Sequence, residues 1–136
     1  MKLLMIFSTH FAYSVGDRSL ASAEASSEER EAGDAVVGFI HAEEADEQAA
    51  GRVETKLVKN LKWAARKNDT RRIVLHSFSH LAETKAAPEF TQELLSRAER
   101  RLEEAGYEVC QTPFGHFLNL DICAPGRSAA RIFAQF

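Results

Sequence analysis

Hydrophobic positions along the chain fall into short continuous runs and longer one-sided stripes. Continuous apolar runs of this length are typical of buried strands. They lie at Lys2–Phe7, Ala35–Ile40, Arg72–Leu75, Tyr107–Gln111 and Phe117–Cys123. The last two runs flank Pro113-Phe114-Gly115, which predicts a hairpin between them.

Two helices are predicted between these strands. From Glu43 to Lys67 the apolar residues recur at three-to-four spacing, and a second such stripe runs from Phe90 to Ala105 before Gly106. Ser14–Gly33 lacks periodicity and predicts a solvated excursion. The order β-β-α-β-α-β-β predicts an α/β fold in a single domain, residues 1–136. Its mixed sheet of about five or six strands carries the helices on one face.

Composition narrows the classes of function. A chain of 136 residues that is 45% hydrophobic can bury roughly two-thirds of its unfolded surface around one core. The net charge of −3 and the pI of about 6.0 argue against nucleic-acid binding by bulk charge. Only local arginine patches, such as Arg71-Arg72 and Arg100-Arg101, remain for phosphate contacts.

The chain shows no secretion leader and no apolar run near the roughly 20 residues that cross a bilayer, so we expect a cytoplasmic protein without a membrane partner. Two cysteines are too few for a disulfide framework. Cys110, Cys123 and Trp63 are expected to pack in the core, because nothing around them indicates thiol chemistry or base stacking.

Two polar segments follow predicted strands and indicate the functional site. They are His76–Glu83 (HSFSHLAE) and Thr112–Phe117 (TPFGHF). Because open α/β sheets bind ligands beyond strand ends, both segments are expected to line one crevice. His80 is the candidate acid, base or hydrogen-bond donor, since histidine titrates near neutral pH. His116 either meets it across the crevice or faces solvent.

Metal binding is the weaker interpretation of these histidines. His76 and His80 are four residues apart. His10 follows the first predicted strand, and His116 lies between the last two. A closed zinc site needs four ligands and a catalytic one needs three around an open position. The spacing does not supply such a set, so we predict no metal and no cofactor.

Several motifs together resemble the N-terminal editing domain of archaeal threonyl-tRNA synthetases, which shares its fold with D-aminoacyl-tRNA deacylases. They are Ser8 and Tyr13 in FSTHFAYSV, Val37–Ile40, Ser77-Phe78-Ser79-His80-Leu81, Pro113-Phe114-Gly115 and Gly126. The resemblance implies a pocket at a homodimer interface in which serine is hydrolysed from threonine tRNA. It also implies that the hydroxyl of the terminal adenosine assists the reaction. With no synthetase after Phe136, the chain resembles a free-standing relative that acts in trans.

The resemblance also implies roles for individual residues. Backbone groups that hold the substrate fall on Ala42, Ser77, Ser79 and Phe114, and the family's histidine falls on His80, the expected catalytic residue. Gly115, His116 and Phe117 complete the expected substrate-binding set.

This sequence departs from the family pattern at three places. Leu118 stands where the family has a lysine, Arg131 where its last helix has a glutamate, and Gly126-Arg127-Ser128 where it has Gly-His-Pro.

Three functions therefore stay open. The first is an aminoacyl-tRNA deacylase that acts on the charged 3' end of tRNA. The second is a non-catalytic module of the same fold that binds a small ligand, a tRNA end or a partner threonyl-tRNA synthetase. The third is a metal-dependent editing hydrolase with an H-x-x-x-H motif.

Overall fold

The computed structural model describes residues 1–136 as one six-stranded mixed sheet with two helices. The strands are β1 (Lys2–Arg18), β2 (Glu29–His41), β3 (Arg72–Ser77), β4 (Glu108–Gln111), β5 (His116–Ile122) and β6 (Arg131–Gln135). The helices are α1 (Ala50–Lys67) and α2 (Pro88–Glu104), and two short 3-10 helices span Glu44–Ala49 and Ser128–Ala130. None of the helices is long and apolar enough to cross a membrane.

The sheet has the order β4-β3-β2-β1-β5, and β6 also pairs with β1. β2, β3 and β4 run parallel, whereas β1 is antiparallel to each of its neighbours. Both helices bury their apolar stripes in one cluster of 22 core residues on one face of the sheet. The other face carries a smaller cluster of six that contains no helical residue. The predicted helices on one face of a mixed sheet are confirmed.

Ser14–Gly33 is solvated, as predicted, but the expectation that it is an excursion without regular structure is wrong. Most of it belongs to a long hairpin in which β1 extends to Arg18 and β2 begins at Glu29, with Ser14 opposite Glu29. This part of the hairpin is largely exposed, so no hydrophobic alternation marks it in the sequence. Backbone pairing of β1 with β5 on its other side holds it in the sheet instead.

The predicted hairpin between β4 and β5 is also wrong, because three strands separate them. On a flat sheet they would lie about 19 Å apart at roughly 4.8 Å per strand spacing. The five peptide units from Gln111 to His116 span at most roughly 17 Å. The sheet must therefore curl, so that the distal halves of β1 and β2 bring β5 over the ends of β3 and β4.

Smaller differences concern the ends of elements. The first helix begins at Ala50 and not at Glu43, because the carboxylates of Glu43 and Asp46 accept hydrogen bonds of 2.9 Å from the Met1 ammonium and hold a 3-10 turn there. β6 was not predicted, and Arg131 begins this strand, not a helix.

Two residues assigned to the core lie at the surface. Trp63 is 43% exposed on the outer side of α1, and Cys123 is exposed just beyond β5 at the sheet edge. Cys110 is half-buried and packs against the smaller cluster.

One carboxylate joins the two helices. Glu54 of α1 accepts hydrogen bonds from Arg97 and Arg101 of α2, the latter at 2.9 Å, and its side chain is 14% exposed. Burial raises the pKa of Glu54, but the hydrogen bonds and charges of the two guanidinium groups outweigh it, so that its pKa lies below the usual 4.5.

Glu54→Gln should destabilise the fold by about 1–3 kcal/mol at neutral pH, since it removes the charge that pairs both arginines. A lowered folded-state pKa stabilises the fold above the unfolded-state value, and this contribution is lost as the pH falls through the folded pKa. Urea unfolding at pH 7 and pH 3 should therefore show a difference between the two proteins that shrinks in acid. Glu93→Gln, which removes an exposed carboxylate 3.0 Å from Arg97, is the control and should cost less than about 0.5 kcal/mol.

Candidate functional site

A cleft of about 290 Å³ lies at the carboxyl ends of β2 and β3, where the curled sheet brings β5 across from them. The structure brings all eight predicted site residues to its wall. The β2 and β3 side contributes Ala42, Ser77, Ser79 and His80. The segment that leads into β5, and β5 itself, contribute Phe114, Gly115, His116 and Phe117.

The loop after β3 is fixed to the end of β2 by a buried histidine that sequence reasoning missed. The Leu81 N–H donates to His41 Nδ1 at 2.9 Å, so His41 Nε2–H donates to the Thr84 carbonyl at 2.7 Å. The Ala86 N–H donates to the Ala42 carbonyl at 3.0 Å. Three hydrogen bonds thus hold the loop that carries Ser79 and His80. The only signal in the sequence was a histidine directly after an apolar run.

A row of aromatic rings leads from the small core cluster into the cleft. Phe39, His76 and Phe78 contact one another edge-on or tilted, with centroids 5.2 to 5.9 Å apart. Phe78 then lies 5.0 Å from His80, and His80 stacks on Phe117 with centroids 6.1 Å apart and planes 24° apart. The exposed imidazole of His80 is thereby positioned between two phenyl rings from opposite walls.

The turn before β5 depends on a glycine. Gly115 has φ of +80°, and a Cβ there would lie 2.6 Å from the Cβ of Ala23. A side chain is therefore excluded by conformation and by space. The turn places His116 against the β1–β2 connection, where its Nε2–H donates to the Glu24 carbonyl at 2.8 Å. His116 Nδ1 is then an acceptor, and this buried atom has no hydrogen-bond partner in the protein.

The only permanent charge in the cleft lining is positive. The lining contains no Asp or Glu, and its one side chain with a permanent charge is Lys85, on the loop after β3. Lys85 forms no ion pair and was not among the predicted site residues. Leu118, at the position of the family's lysine, lines the cleft, whereas Arg131 does not and donates to the Pro125 carbonyl at 3.0 Å.

The histidines do not gather around a common point. His76 is 5% exposed and shares a hydrogen bond of 2.8 Å between its Nδ1 and Thr112 Oγ1. His10 lies outside the cleft, 3.7 Å from Asp121. The structure contains no group of three or more His, Cys, Asp or Glu residues that could hold a metal.

His76 should remain neutral at physiological pH. Burial lowers its pKa from 6.5 to about 4. Between these values the unfolded chain binds a proton that the folded protein does not, so stability is full above pH 6.5 and falls as the pH drops to 4. The loss should be on the order of 3 kcal/mol at 1.36 kcal/mol per pKa unit. Urea unfolding from pH 7 to 4 measures it.

His76→Gln keeps a hydrogen-bonding group for Thr112 and should lose this part of the pH dependence, whereas His10→Gln, at an exposed site, should keep it. Identical pH profiles for the wild type and His76→Gln would show that folding does not lower the pKa of His76.

Solved structures confirm the architecture. The chain superposes on the c-Myc DNA Unwinding Element Binding Protein with a TM-score of 0.70 and 14% sequence identity, over 100% of this chain and 99% of the other. At this identity the likeness shows the fold alone. The fold is the predicted D-aminoacyl-tRNA deacylase-like one.

Sequence relatives agree over nearly the whole chain. It is 32% identical to the threonine-tRNA ligase of Thermococcus kodakarensis and 30% identical to that of Pyrococcus horikoshii, in each case over 97% of this chain. The chain spans 22% of the length of these relatives. The model of the archaea-specific editing domain of threonyl-tRNA synthetase matches residues 1–136. The chain therefore belongs to this editing-domain family.

Proposed function

We propose that the protein is an aminoacyl-tRNA deacylase of the cytoplasm, where tRNAs are charged, and that it removes a small mischarged amino acid, serine first, from threonine tRNA in trans. The observation that carries the proposal is the convergence of the eight predicted residues on one cleft without a carboxylate in its lining. The volume of about 290 Å³ is at the small end of ligand pockets, roughly 300–1,000 Å³. It suits an aminoacyl group with part of its nucleoside.

In the proposed reaction a water oxygen attacks the ester carbonyl carbon, the carbonyl oxygen gains negative charge, and the bond to the ribose oxygen then breaks as that oxygen takes up a proton. His80 positions the water or the substrate amine. Backbone groups near Ser79 and Phe114 hold the aminoacyl group, with Ala42, Ser77, Gly115 and Phe117 as further walls. The neighbouring ribose hydroxyl relays the proton. Positioning of this kind accounts for a large part of many catalytic barriers.

Two further residues support this chemistry. The unpaired Nδ1 of His116 is an acceptor that a substrate ammonium or hydroxyl would satisfy. Lys85 supplies a positive charge in a cleft without carboxylates, which favours a phosphate or the oxygen that becomes negative. We propose that the positive charge of Lys85 replaces that of the family's lysine, at whose position this chain has Leu118.

A second function is favoured by one observation. Leu118 makes the wall apolar at the position of the family's lysine, which fits a module that binds an amino acid, a tRNA end or a partner threonyl-tRNA synthetase without hydrolysis. Binding of an aminoacyl-tRNA without release of its amino acid would select this alternative.

Purified protein at micromolar concentration should release serine from seryl-tRNA(Thr) faster than buffer does. His80→Ala should slow this release by roughly 10- to 10⁴-fold if the imidazole acts in proton transfer or orientation. Lys85→Met should also slow it, and Lys85→Arg should restore part of the rate. His10→Ala removes an exposed histidine outside the cleft and is the matched control. A panel of aminoacyl-tRNAs with no release above the buffer rate rules out the enzyme.

We also propose a homodimer with the cleft near its interface. Phe117 is 52% exposed and Leu120 is 38% exposed on β5, where both line the cleft, and such apolar side chains are often covered by a partner. A twofold assembly is the commonest kind. Sedimentation equilibrium should give twice the chain mass of 15.1 kDa, and Phe117→Asp should shift the protein toward the monomer. A wild-type monomer at micromolar concentration excludes the dimer.

A further inference from the structure

The outer face of α1 is a continuous basic stripe with an aromatic at its centre. We call this surface the α1 basic face. Its exposed residues recur at steps of three and four, which places them on one side of the helix. They are Arg52, Lys56, Lys59, Trp63, Arg66 and Lys67.

Charge is strongly segregated between this helix and the rest of the protein. α1 contains six of the 17 Lys and Arg residues of the chain but one of its 20 Asp and Glu residues, Glu54. The helix therefore has a formal charge of +5, and the remaining residues together have −8. The net charge of −3 conceals a surface suited to a polyanion.

The charges on the α1 basic face are not neutralised by carboxylates of the protein. None of its five basic side chains forms an ion pair. Two of the arginines singled out in the sequence do form ion pairs: Arg72 pairs with Glu108 at 3.1 Å, and Arg101 pairs with Glu54 at 2.9 Å. The phosphate contacts expected of those arginines are better supplied by α1.

Other uses of a basic helix fit less well. Arg66 and Lys67 complement the helix dipole in the last turn, but this effect falls off within one turn and leaves Arg52, Lys56 and Lys59 unexplained. The apolar side of α1 is buried in the core, so the helix has no free apolar face to insert into a membrane. Protein interfaces are depleted in lysine.

Trp63 adds a second kind of contact. It is 43% exposed, and the Lys67 ammonium lies 5.7 Å from its ring centroid. Exposed aromatics flanked by cations are platforms on which bases stack.

The α1 basic face begins close to the cleft. Only the 3-10 helix Glu44–Ala49 separates Ala42, in the cleft wall, from the start of α1. From Arg52 to Lys67 the stripe extends roughly 22 Å at 1.5 Å per residue, away from the cleft and toward the amino end of β3.

We propose that the α1 basic face binds the phosphate backbone of an RNA whose 3' end enters the cleft. The identity of that RNA as a tRNA rests on the proposed function, whereas the binding of a phosphate polymer rests on the charge and spacing of α1 alone. The cleft then recognises the aminoacyl end, and α1 supplies the salt-dependent affinity for the body of the molecule.

The test is the binding of a fluorescein-labelled, uncharged tRNA(Thr) transcript, followed by anisotropy between 50 and 200 mM KCl. The variant combines Lys56→Gln, Lys59→Gln and Arg66→Gln, all at exposed positions. It should bind more weakly, and the slope of log K against log salt should become shallower by about three, at roughly 0.9 per lost phosphate contact. The matched control combines Arg30→Gln, Arg100→Gln and Arg131→Gln, which changes net charge equally, and should keep the wild-type slope.

Three results would overturn the inference: no binding by the wild type at 50 mM KCl, equal weakening by both triple variants, or competition by polyglutamate as strong as that by RNA. The last would indicate an acidic protein partner. A short oligonucleotide with an aminoacylated CCA end reports on the cleft separately, and the α1 variant should process it at the wild-type rate. Loss of tRNA binding in the α1 variant, with no hydrolysis by the wild type on any substrate, supports the RNA surface and refutes the proposed function.

Discussion

The short connection from β4 to β5 is the constraint on which the rest of the structure depends. Five peptide units must carry the chain from Gln111 at one edge of the sheet to His116 at the other edge. The long β1–β2 hairpin therefore bends over the sheet, and β5 faces the carboxyl ends of β2 and β3. A flat sheet with the same strand order would leave Phe117 far from His80 and would form no cleft between them.

Local patterns predicted the elements well where one face is buried. The stripe of Val53, Leu57 and Leu61 specified α1, because each of these side chains reaches the core. The end of the β1–β2 hairpin was missed because its pairing uses backbone groups, which any sequence provides. β6 was missed for a related reason: its residues alternate between exposed and half-buried, and none is fully buried.

The parts of the candidate site were predictable from the sequence, and their assembly into one cleft was not. His80 and Phe117 each stood out beside a strand, but their stacking depends on the curl of the sheet, which no local pattern encodes. His41 and Lys85 were missed because each belongs to the site only through the folded loop after β3. Trp63 was assigned to the core because only the apolar side of the predicted helix was considered. The basic residues at three-to-four spacing from Trp63 already indicated that it lies on the opposite, solvent-exposed side.

The loop pinned by His41 has a consequence for selectivity. Its hydrogen bonds to Leu81 and Thr84, and that of Ala86 to Ala42, are formed within the protein and need no ligand to complete them. A cleft that is preorganised in this way does not spend binding free energy on ordering its walls. Widening the cleft also costs free energy, because any outward movement of the loop would leave the buried imidazole of His41 without hydrogen-bond partners. Such a cleft works as a rigid sieve: a ligand too large for its fixed walls is rejected by steric exclusion, without induced fit.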